Sequence, residues 1–253
     1  MTYVEAPTAP ARGALAPALL RLAGPVALAR LGIMGMGIVD TIMVGRLAPH
    51  QLADLALGWA PTGVVLVTGL GLLTGVQVLG ARALGEGNPR GAGAVWRKGM
   101  MMSLVIGVAF AALLYGFSEV GLRIFGIEPK LASGAAEVTR WLALSLPFHF
   151  LHLSCSSFLE AIKKPLAGTI VIWVANALNL ALNLVLVPEH GAAGAAISTI
   201  ISRAFMAAAL FAWIWISAAG REYGARDRGA IGASYKALLV VGAASAVIML
   251  HVT

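Results

Sequence analysis

The sequence predicts an all-α, polytopic membrane protein: a six-helix transmembrane lobe followed by a partial seventh helix. Of its 253 residues, 59% are hydrophobic and only 11% are charged, whereas a soluble domain carries about 25% charged residues. The mean hydropathy is +0.87. Uncharged stretches of about 20 residues, the length that crosses a bilayer, recur along the chain. These features together exclude an ordinary soluble fold.

Six apolar stretches define the predicted spans, and a seventh is shorter. They cover 22–45, 55–81, 99–118, 141–159, 165–188 and 191–219, followed by 237–253. The connection 118–140 is predicted to contain a short helix on the outer interface. The predicted organisation is a disordered lead-in at 1–20, a six-helix lobe at 21–220, a cytoplasmic loop at 221–236 and a truncated seventh helix at 237–253.

The basic residues predict the orientation of the chain. With the N-terminus inside, the inner segments hold twelve of the 18 Lys and Arg residues and the outer segments hold four. Cytoplasmic loops carry such an excess, so the N-terminus is predicted to be cytoplasmic. The net charge of +7 has the same explanation, so the expected partner is the lipid bilayer and not nucleic acid. Arg30 and Arg203 lie within spans, where each would snorkel or pair internally.

One carboxylate, Asp40, stands inside the first apolar run. An Asp at the centre of a span costs roughly 2.5–3.5 kcal/mol on insertion scales, so Asp40 either lies near the outer interface or has a function. Apolar surroundings disfavour the charged form of a carboxyl group, which can therefore load and release a proton near neutral pH. The residues alone leave both interpretations open.

Three asparagines share one face of the fifth span. Asn176, Asn179 and Asn183 stand at i, i+3 and i+7, the spacing of a single helix face. Carboxamides that faced lipid would lack partners, so this stripe is predicted to face the bundle interior. It forms either interhelical hydrogen bonds, at about 0.6 kcal/mol each, or an oxygen-rich cage for a cation or for Asp40.

Other polar residues in the spans suit more ordinary roles. Ser198 and Ser202 are four residues apart, a spacing that favours helix packing through small side chains, although either hydroxyl could join the cage. His149 and His152 are spaced like a ligand pair, but zinc sites show a fuller ligand set, so no metal site is predicted. Hydrolase, phosphate-loop and metalloprotease motifs are absent from the sequence, which predicts neither an enzyme nor a cofactor.

Four short motifs, taken in order, resemble the multidrug and toxic compound extrusion (MATE) family. They are VDTIMVGRL at 39–47, GARALGEGN at 80–88, NLALN at 179–183 and GAAGAAIST at 191–199. Each motif is weak alone, but the order and spacing of all four are fairly specific. The resemblance covers about residues 15–220.

The resemblance implies a cation-coupled antiporter of the bacterial plasma (inner) membrane. Drugs and other amphiphilic organic cations would leave the cell as H⁺ or Na⁺ enters, through a cleft between two six-helix lobes. Positions matching the family's motifs would form the cation site of the first lobe: Asp40, Asn179, Asn183 and Thr199. From the residues themselves, the candidate supporting polar groups are Asn176, Ser198 and Ser202.

Two departures from the family pattern leave alternatives open. Position 183 is Asn where some members carry Asp, so Asp40 would be the sole acid of the site. The resemblance also implies a second six-helix lobe, supplied by missing sequence or by a second copy; truncation is favoured because the sequence ends inside an apolar run. The alternatives are a lipid-linked precursor flippase using Arg30 and Arg203, a non-transporting half-length module, and an intramembrane enzyme using Asp40 with His149 or His152.

Overall fold

The computed structural model describes residues 12–252, except 228, 230 and 231. The described part is helical, with a short 3-10 turn at Pro49–Gln51 after the first helix. The helices are α1 (Arg12–Leu47), α2 (Leu52–Gly85), α3 (Pro89–Ile124), α4 (Pro129–Leu144), α5 (Leu146–Ala161), α6 (Leu166–Ile216), α7 (Ala218–Glu222) and α8 (Tyr235–Val252). This architecture confirms the predicted all-α membrane fold.

Four stretches of helix are long and apolar enough to cross a membrane. They are Ala23–Leu47, Pro49–Gly85, Pro89–Ile124 and Leu166–Ile216, and α4 with α5 would form a fifth, bent span. The last stretch contains a break, so each of its arms is itself about 25 residues, roughly 37 Å of helix at the standard rise. The six predicted spans therefore correspond to α1, α2, α3, the α4–α5 pair and the two arms of α6.

Helix α6 folds back on itself at Gly191. The residue has φ +58° and ψ −133°, a conformation that side chains with a Cβ rarely adopt, and Pro188 just before it weakens the helix. In a straight helix the side chains of Asn179 and Thr199, 20 residues apart, would be about 30 Å from each other. Instead Asn179 Nδ2 lies 3.4 Å from Thr199 Oγ1. The arms before and after Gly191 therefore run side by side.

The connection before α5 differs from the prediction. Helix α3 continues to Ile124 and α4 begins at Pro129, so 129–140 is helical as expected, but one face of this helix is packed into the bundle. Ala132, Ala135 and Ala136 are buried in a cluster with Leu122 of α3. The small alanine side chains allow this close approach, and α4 then meets α5 at a bend of 43°.

The ends of the described chain refine the predicted domain boundaries. Residues 12–20 are part of α1, which corrects the expected disordered lead-in; residues 1–11 lie outside the described residues. Short α7 occupies the start of the predicted loop at 221–236, and α8 occupies the region of the predicted seventh helix. Residue 253 lies outside the described part.

Helix α8 packs on α2 through glycines. A Cβ at Gly71 would overlap the backbone of Ala246, and a Cβ at Gly75 would come within 2.7 Å of the Leu238 carbonyl oxygen. On the facing side, a Cβ at Gly242 would overlap the backbone of Leu72. Gly71 and Gly75, four residues apart in α2, thus form a small-residue packing surface for α8.

Candidate functional site

The centre of the lobe contains a buried carboxylate with three hydrogen-bond donors. Asp40 Oδ1 accepts from Asn179 Nδ2 at 3.1 Å and from Asn183 Nδ2 at 2.7 Å. Asp40 Oδ2 accepts from the Thr199 hydroxyl at 2.6 Å. All four side chains are fully buried. The carboxylate therefore lies in the interior of the helical bundle and is shielded from the lobe's surface. We call this group of four residues the Asp40 cage.

Three helical segments build the Asp40 cage. The carboxylate comes from α1, the amides come from the first arm of α6, and Thr199 comes from the second arm. Asn179 and Asn183 are one helical turn apart, so both amides reach the same oxygen. The break at Gly191 then brings Thr199 to the other oxygen. Local helix geometry supplies one half of the site and the fold of α6 supplies the other.

The amides of the Asp40 cage are also bonded to each other. Asn183 Nδ2 donates to Asn179 Oδ1 at 3.2 Å. Among the described residues, Asn183 Oδ1 is buried and has no hydrogen-bond partner. The donors of the cage thus bond to both carboxylate oxygens, which suits the ionised form of Asp40. The acceptor Asn183 Oδ1 remains available to a proton or a cation.

The three candidate supporting residues do not bond to Asp40. Asn176 Nδ2 donates to the carbonyl oxygens of Gly32, at 2.9 Å, and Ile172, at 2.8 Å, so it fastens α6 to α1. Ser198 donates to the Gly194 carbonyl within its own helix. Ser202 Oγ is buried without a partner in the described part of the chain. The spacing of these residues placed them on the correct helix faces but not in the cage.

Gln51 supports the site, although no sequence motif points to it. Its Oε1 accepts from the backbone N–H of Ala192 at 2.7 Å, and a Cβ at Gly191 would overlap its side chain. Gln51 thus satisfies a donor that the start of the second arm leaves free. A glycine three residues after Pro188 was the available signal for the break, but nothing in the sequence identified the capping residue.

Arg203 follows Thr199 by about one helical turn in the second arm of α6. It is buried in α6, donates from Nη1 to Ser145 Oγ at 2.7 Å, and its guanidinium carbon lies 5.5 Å from the centre of a Trp59 ring. It interacts electrostatically with Asp40, but no ion pair within 4 Å joins Arg203 to a carboxylate among the described residues.

A second group of polar side chains lies along α5 and reaches α1. Arg30 Nη2 is 3.5 Å from Glu160 Oε1, which also accepts from Ser156 at 3.2 Å. His149 and His152 are buried, and their Nδ1 atoms lack partners in the described part of the chain. Within those same residues, no group of three or more His, Cys, Asp or Glu side chains could hold a metal ion.

The fold and the site define a multi-pass α-helical membrane protein with a polar site buried inside its helical bundle. The family model MatE matches residues 25–185. The chain belongs to this family, the MATE transporters, as its four motifs suggested.

The relatives agree with this membership. The chain is 41% identical to a probable multidrug resistance protein NorM of Caulobacter vibrioides over 216 residues, which are 83% of the chain and 46% of that protein. It is 31% identical to the multidrug resistance protein PmpM of Pseudomonas aeruginosa, over 68% of the chain and 36% of that protein. The chain thus spans about half the length of the curated relatives it matches.

Solved structures show the same fold. A crystal structure of MATE in the bent conformation superposes with a TM-score of 0.83 over 92% of this chain and 53% of that one, at 21% identity. An outward-facing conformation of a multidrug resistance MATE family transporter of the MOP superfamily gives a TM-score of 0.81 over 92% of this chain and 52% of that one, at 20% identity.

Proposed function

We propose that this chain forms the first lobe of a cation-coupled efflux transporter, in which H⁺ or Na⁺ binds in the Asp40 cage. The observation that carries the proposal is a fully buried carboxylate that three donors from two arms of one helix hold in place. A buried charge is expensive in a membrane and marks ion pathways by default. Relatives named as multidrug resistance proteins support drugs as the substrates and export as the direction of transport.

Proton binding would change how the arms of α6 are held against α1. The ionised carboxylate accepts three hydrogen bonds, and such charge-assisted bonds are about twice as strong as neutral ones. A protonated Asp40 must donate one bond, so Thr199 would have to turn from donor to acceptor or Asn183 Oδ1 would have to take the proton's hydrogen bond. Either change weakens the contact between α1 and α6, which couples ion binding to helix movement.

Sodium would use the same cage differently. Hard cations take oxygen ligands, and the cage contains the oxygens of the carboxylate, of the two amides and of Thr199. Asn179 and Asn183 now direct their Nδ2 atoms at Asp40, so Na⁺ would have to displace these donors from the carboxylate. The hydrogen-bond pattern therefore favours H⁺ as the coupling ion.

The arrangement of the two intramembrane arginines bears on the flippase alternative. Such a protein would need a basic cavity for a pyrophosphate. Arg30 pairs with Glu160, whereas Arg203 bonds to Ser145 and contacts Trp59. The two cations thus have separate partners, and their contacts do not favour a shared phosphate site.

We further propose that the protein lies in the bacterial inner membrane with its N-terminus in the cytoplasm.

Infrared difference spectroscopy on the chain in lipid nanodiscs tests the site directly. We expect a carboxylic acid band from protonated Asp40 to appear on acidification and to be absent in Asp40→Asn. Asp54→Asn, which changes a carboxylate outside the cage, should keep the band. Addition of Na⁺ at fixed pH should leave the band unchanged if H⁺ is the coupling ion and should remove it if Na⁺ competes for the cage. A wild-type spectrum identical to that of Asp40→Asn would refute the ion site.

Transport itself is tested in a chimera of this chain with the second half of Caulobacter NorM, alongside the chain alone. Asp40→Asn should abolish drug export driven by a cation gradient while membrane insertion is retained. Export at the wild-type rate in Asp40→Asn would contradict the coupling role.

A further inference from the structure

A groove between α1 and α2 reaches Arg203. It has a volume of about 540 Å³, which is the size range of small-molecule sites. Its walls are mainly apolar and include Ile33 and Ile38 of α1 and Leu66 and Val67 of α2. Arg203 is the only charged residue among the described residues that line the groove.

The guanidinium of Arg203 has unused hydrogen-bonding capacity. Arginine carries five N–H donors, yet the described residues give Arg203 one hydrogen bond, from Nη1 to Ser145. Trp59 contacts it with its ring face and also lines the groove, and the indole N–H of Trp59 has no partner among the described residues. A buried cation without an ion-pair partner is costly, and a ligand anion would remove that cost.

We propose that the α1–α2 groove binds an amphiphilic anion, with the apolar body of the ligand between the helices and its carboxylate or phosphate on Arg203. The shape of the guanidinium suits these groups because its N–H donors form a planar fork that binds two oxygens together. The inference rests on the proposed function for its physiological meaning: it adds acidic or zwitterionic amphiphiles to the substrates expected of the transporter.

Asp40 links this anion subsite to the Asp40 cage. The Arg203 guanidinium and the Asp40 carboxylate interact through space without an ion pair within 4 Å. An ionised Asp40 partly offsets the positive charge that Arg203 presents to the groove. Protonation of Asp40 removes that offset, so the groove attracts an anion more strongly. The anion would thus bind best to the ion-loaded lobe, whereas a cationic drug would exchange with the ion.

Equilibrium dialysis of the purified chain in phosphatidylcholine nanodiscs tests the proposal. The probes are 1-naphthaleneacetate and its uncharged amide, 1-naphthaleneacetamide, which differ little in shape. We expect the carboxylate to bind at least about 10-fold more tightly to the wild type, because a hydrogen bond to a charged group contributes more than one to a neutral group. Equal binding of the two probes would overturn the proposal without any variant having to fold.

Substitutions then locate the preference. Arg203→Gln should bring the two affinities within about threefold of each other, because only the charge-assisted bond distinguishes the probes. Arg30→Gln, which changes the other intramembrane arginine, should keep the wild-type preference. A preference that survives Arg203→Gln would overturn the assignment to Arg203. Size-exclusion profiles of all variants control for folding, and Arg203→Lys should retain part of the preference because it keeps the charge.

Two further experiments distinguish the possible ligand sources and separate the anion proposal from the proposed ion site. If an anionic lipid headgroup is the natural occupant, phosphatidylglycerol in the nanodisc should weaken naphthaleneacetate binding to the wild type but not to Arg203→Gln; unchanged binding supports a soluble amphiphile. Asp40→Asn should tighten carboxylate binding, because Arg203 loses the nearby negative charge. Weaker binding in Asp40→Asn would contradict the link. Dialysis needs no ion gradient, so failure of ion coupling at Asp40 would leave the anion result standing.

Discussion

The contact between α1 and α6 and the contact between α2 and α8 are built in opposite ways. At the first, Asp40 is held by hydrogen bonds to Asn179, Asn183 and Thr199. At the second, the helices approach until a Cβ on Gly71 or Gly242 would overlap the facing backbone. The strength of the first contact depends on the charge of one carboxylate, whereas the second, among the described residues, is built on the close packing of glycines against backbone.

This difference indicates which contact can act as a switch. Hydrogen bonds to a charged group contribute about 1.5–3 kcal/mol each, and protonation changes them without changing the sequence. Close packing has no comparable variable. We therefore expect α1 and α6 to shift relative to each other when an ion binds, while α2 and α8 stay together. The following substitutions test this contrast through the thermal stability of the purified chain.

The largest effect is expected for Asn183→Leu. The substitution keeps a similar side-chain volume and removes the shorter of the two amide hydrogen bonds to Asp40. At alkaline pH, where Asp40 is ionised, it should cost about 2–3 kcal/mol. A protonated Asp40 has no charge for that donor to stabilise, so the loss of stability caused by Asn183→Leu should be smaller in acid. Thermal unfolding at both pH values measures the difference.

Asn176→Leu is the matched control for this pH dependence. It lies on the same face of α6 but donates to the backbone of Gly32 and Ile172, so its cost should be equal at the two pH values. A cost for Asn183→Leu that is independent of pH, or larger in acid, would show that the cage does not respond to the charge of Asp40.

Gly71→Ala should have an intermediate effect. The added methyl group meets the backbone of Ala246, which cannot move away as a flexible side chain can, and overpacking typically costs about 1–3 kcal/mol. The cost should be the same in acid and alkali. Thermal unfolding at both pH values is again the measurement.

Gly63→Ala, in the same helix, is the control because nothing lies within 4 Å of the new Cβ. It should be neutral or stabilise α2 by up to about 1 kcal/mol, since alanine favours helix. If Gly71→Ala is as well tolerated as Gly63→Ala, the close contact with α8 is not what holds these helices together.

The smallest effect is expected for Ser198→Ala. Within the described part of the chain, Ser198 bonds only to the Gly194 carbonyl of its own helix, so its removal should change stability by less than about 0.5 kcal/mol. Thr199→Val removes the neighbouring hydroxyl, which does bond to Asp40, and should cost more in alkali than in acid. Equal stabilities of the two variants would place Thr199 outside the functional cage.

Much of the lobe could be predicted from the sequence because its signals are local. The apolar stretches give the spans, and the i, i+3, i+7 spacing of Asn176, Asn179 and Asn183 gives the inward face. The sequence did not show that only the last two reach Asp40. Asn176 lies two turns earlier, beside the backbone of Gly32, and the rise of the helix separates it from the carboxylate.

The connections were less predictable than the spans. Residues 129–140 lack the continuous apolar character of a span, yet their alanines are buried against α3. Their polarity therefore suggested a surface helix. An alanine side chain is buried when a neighbouring helix comes close to it. Whether a helix comes that close depends on the tertiary packing and not on the local sequence pattern.

The sequence by itself determined the helical membrane fold, the inward Asn face and the presence of one acid in the first span. These follow from hydropathy and helical period, which depend on residues close together in the chain. The family resemblance placed Thr199 in the site, but only the tertiary structure decided which Asp40 oxygen it bonds, that Gln51 caps the second arm of α6 and that Arg203 lines a groove. Each of these contacts joins residues more than 100 positions apart or depends on the reversal at Gly191, and contacts of that kind are fixed by packing rather than by local pattern.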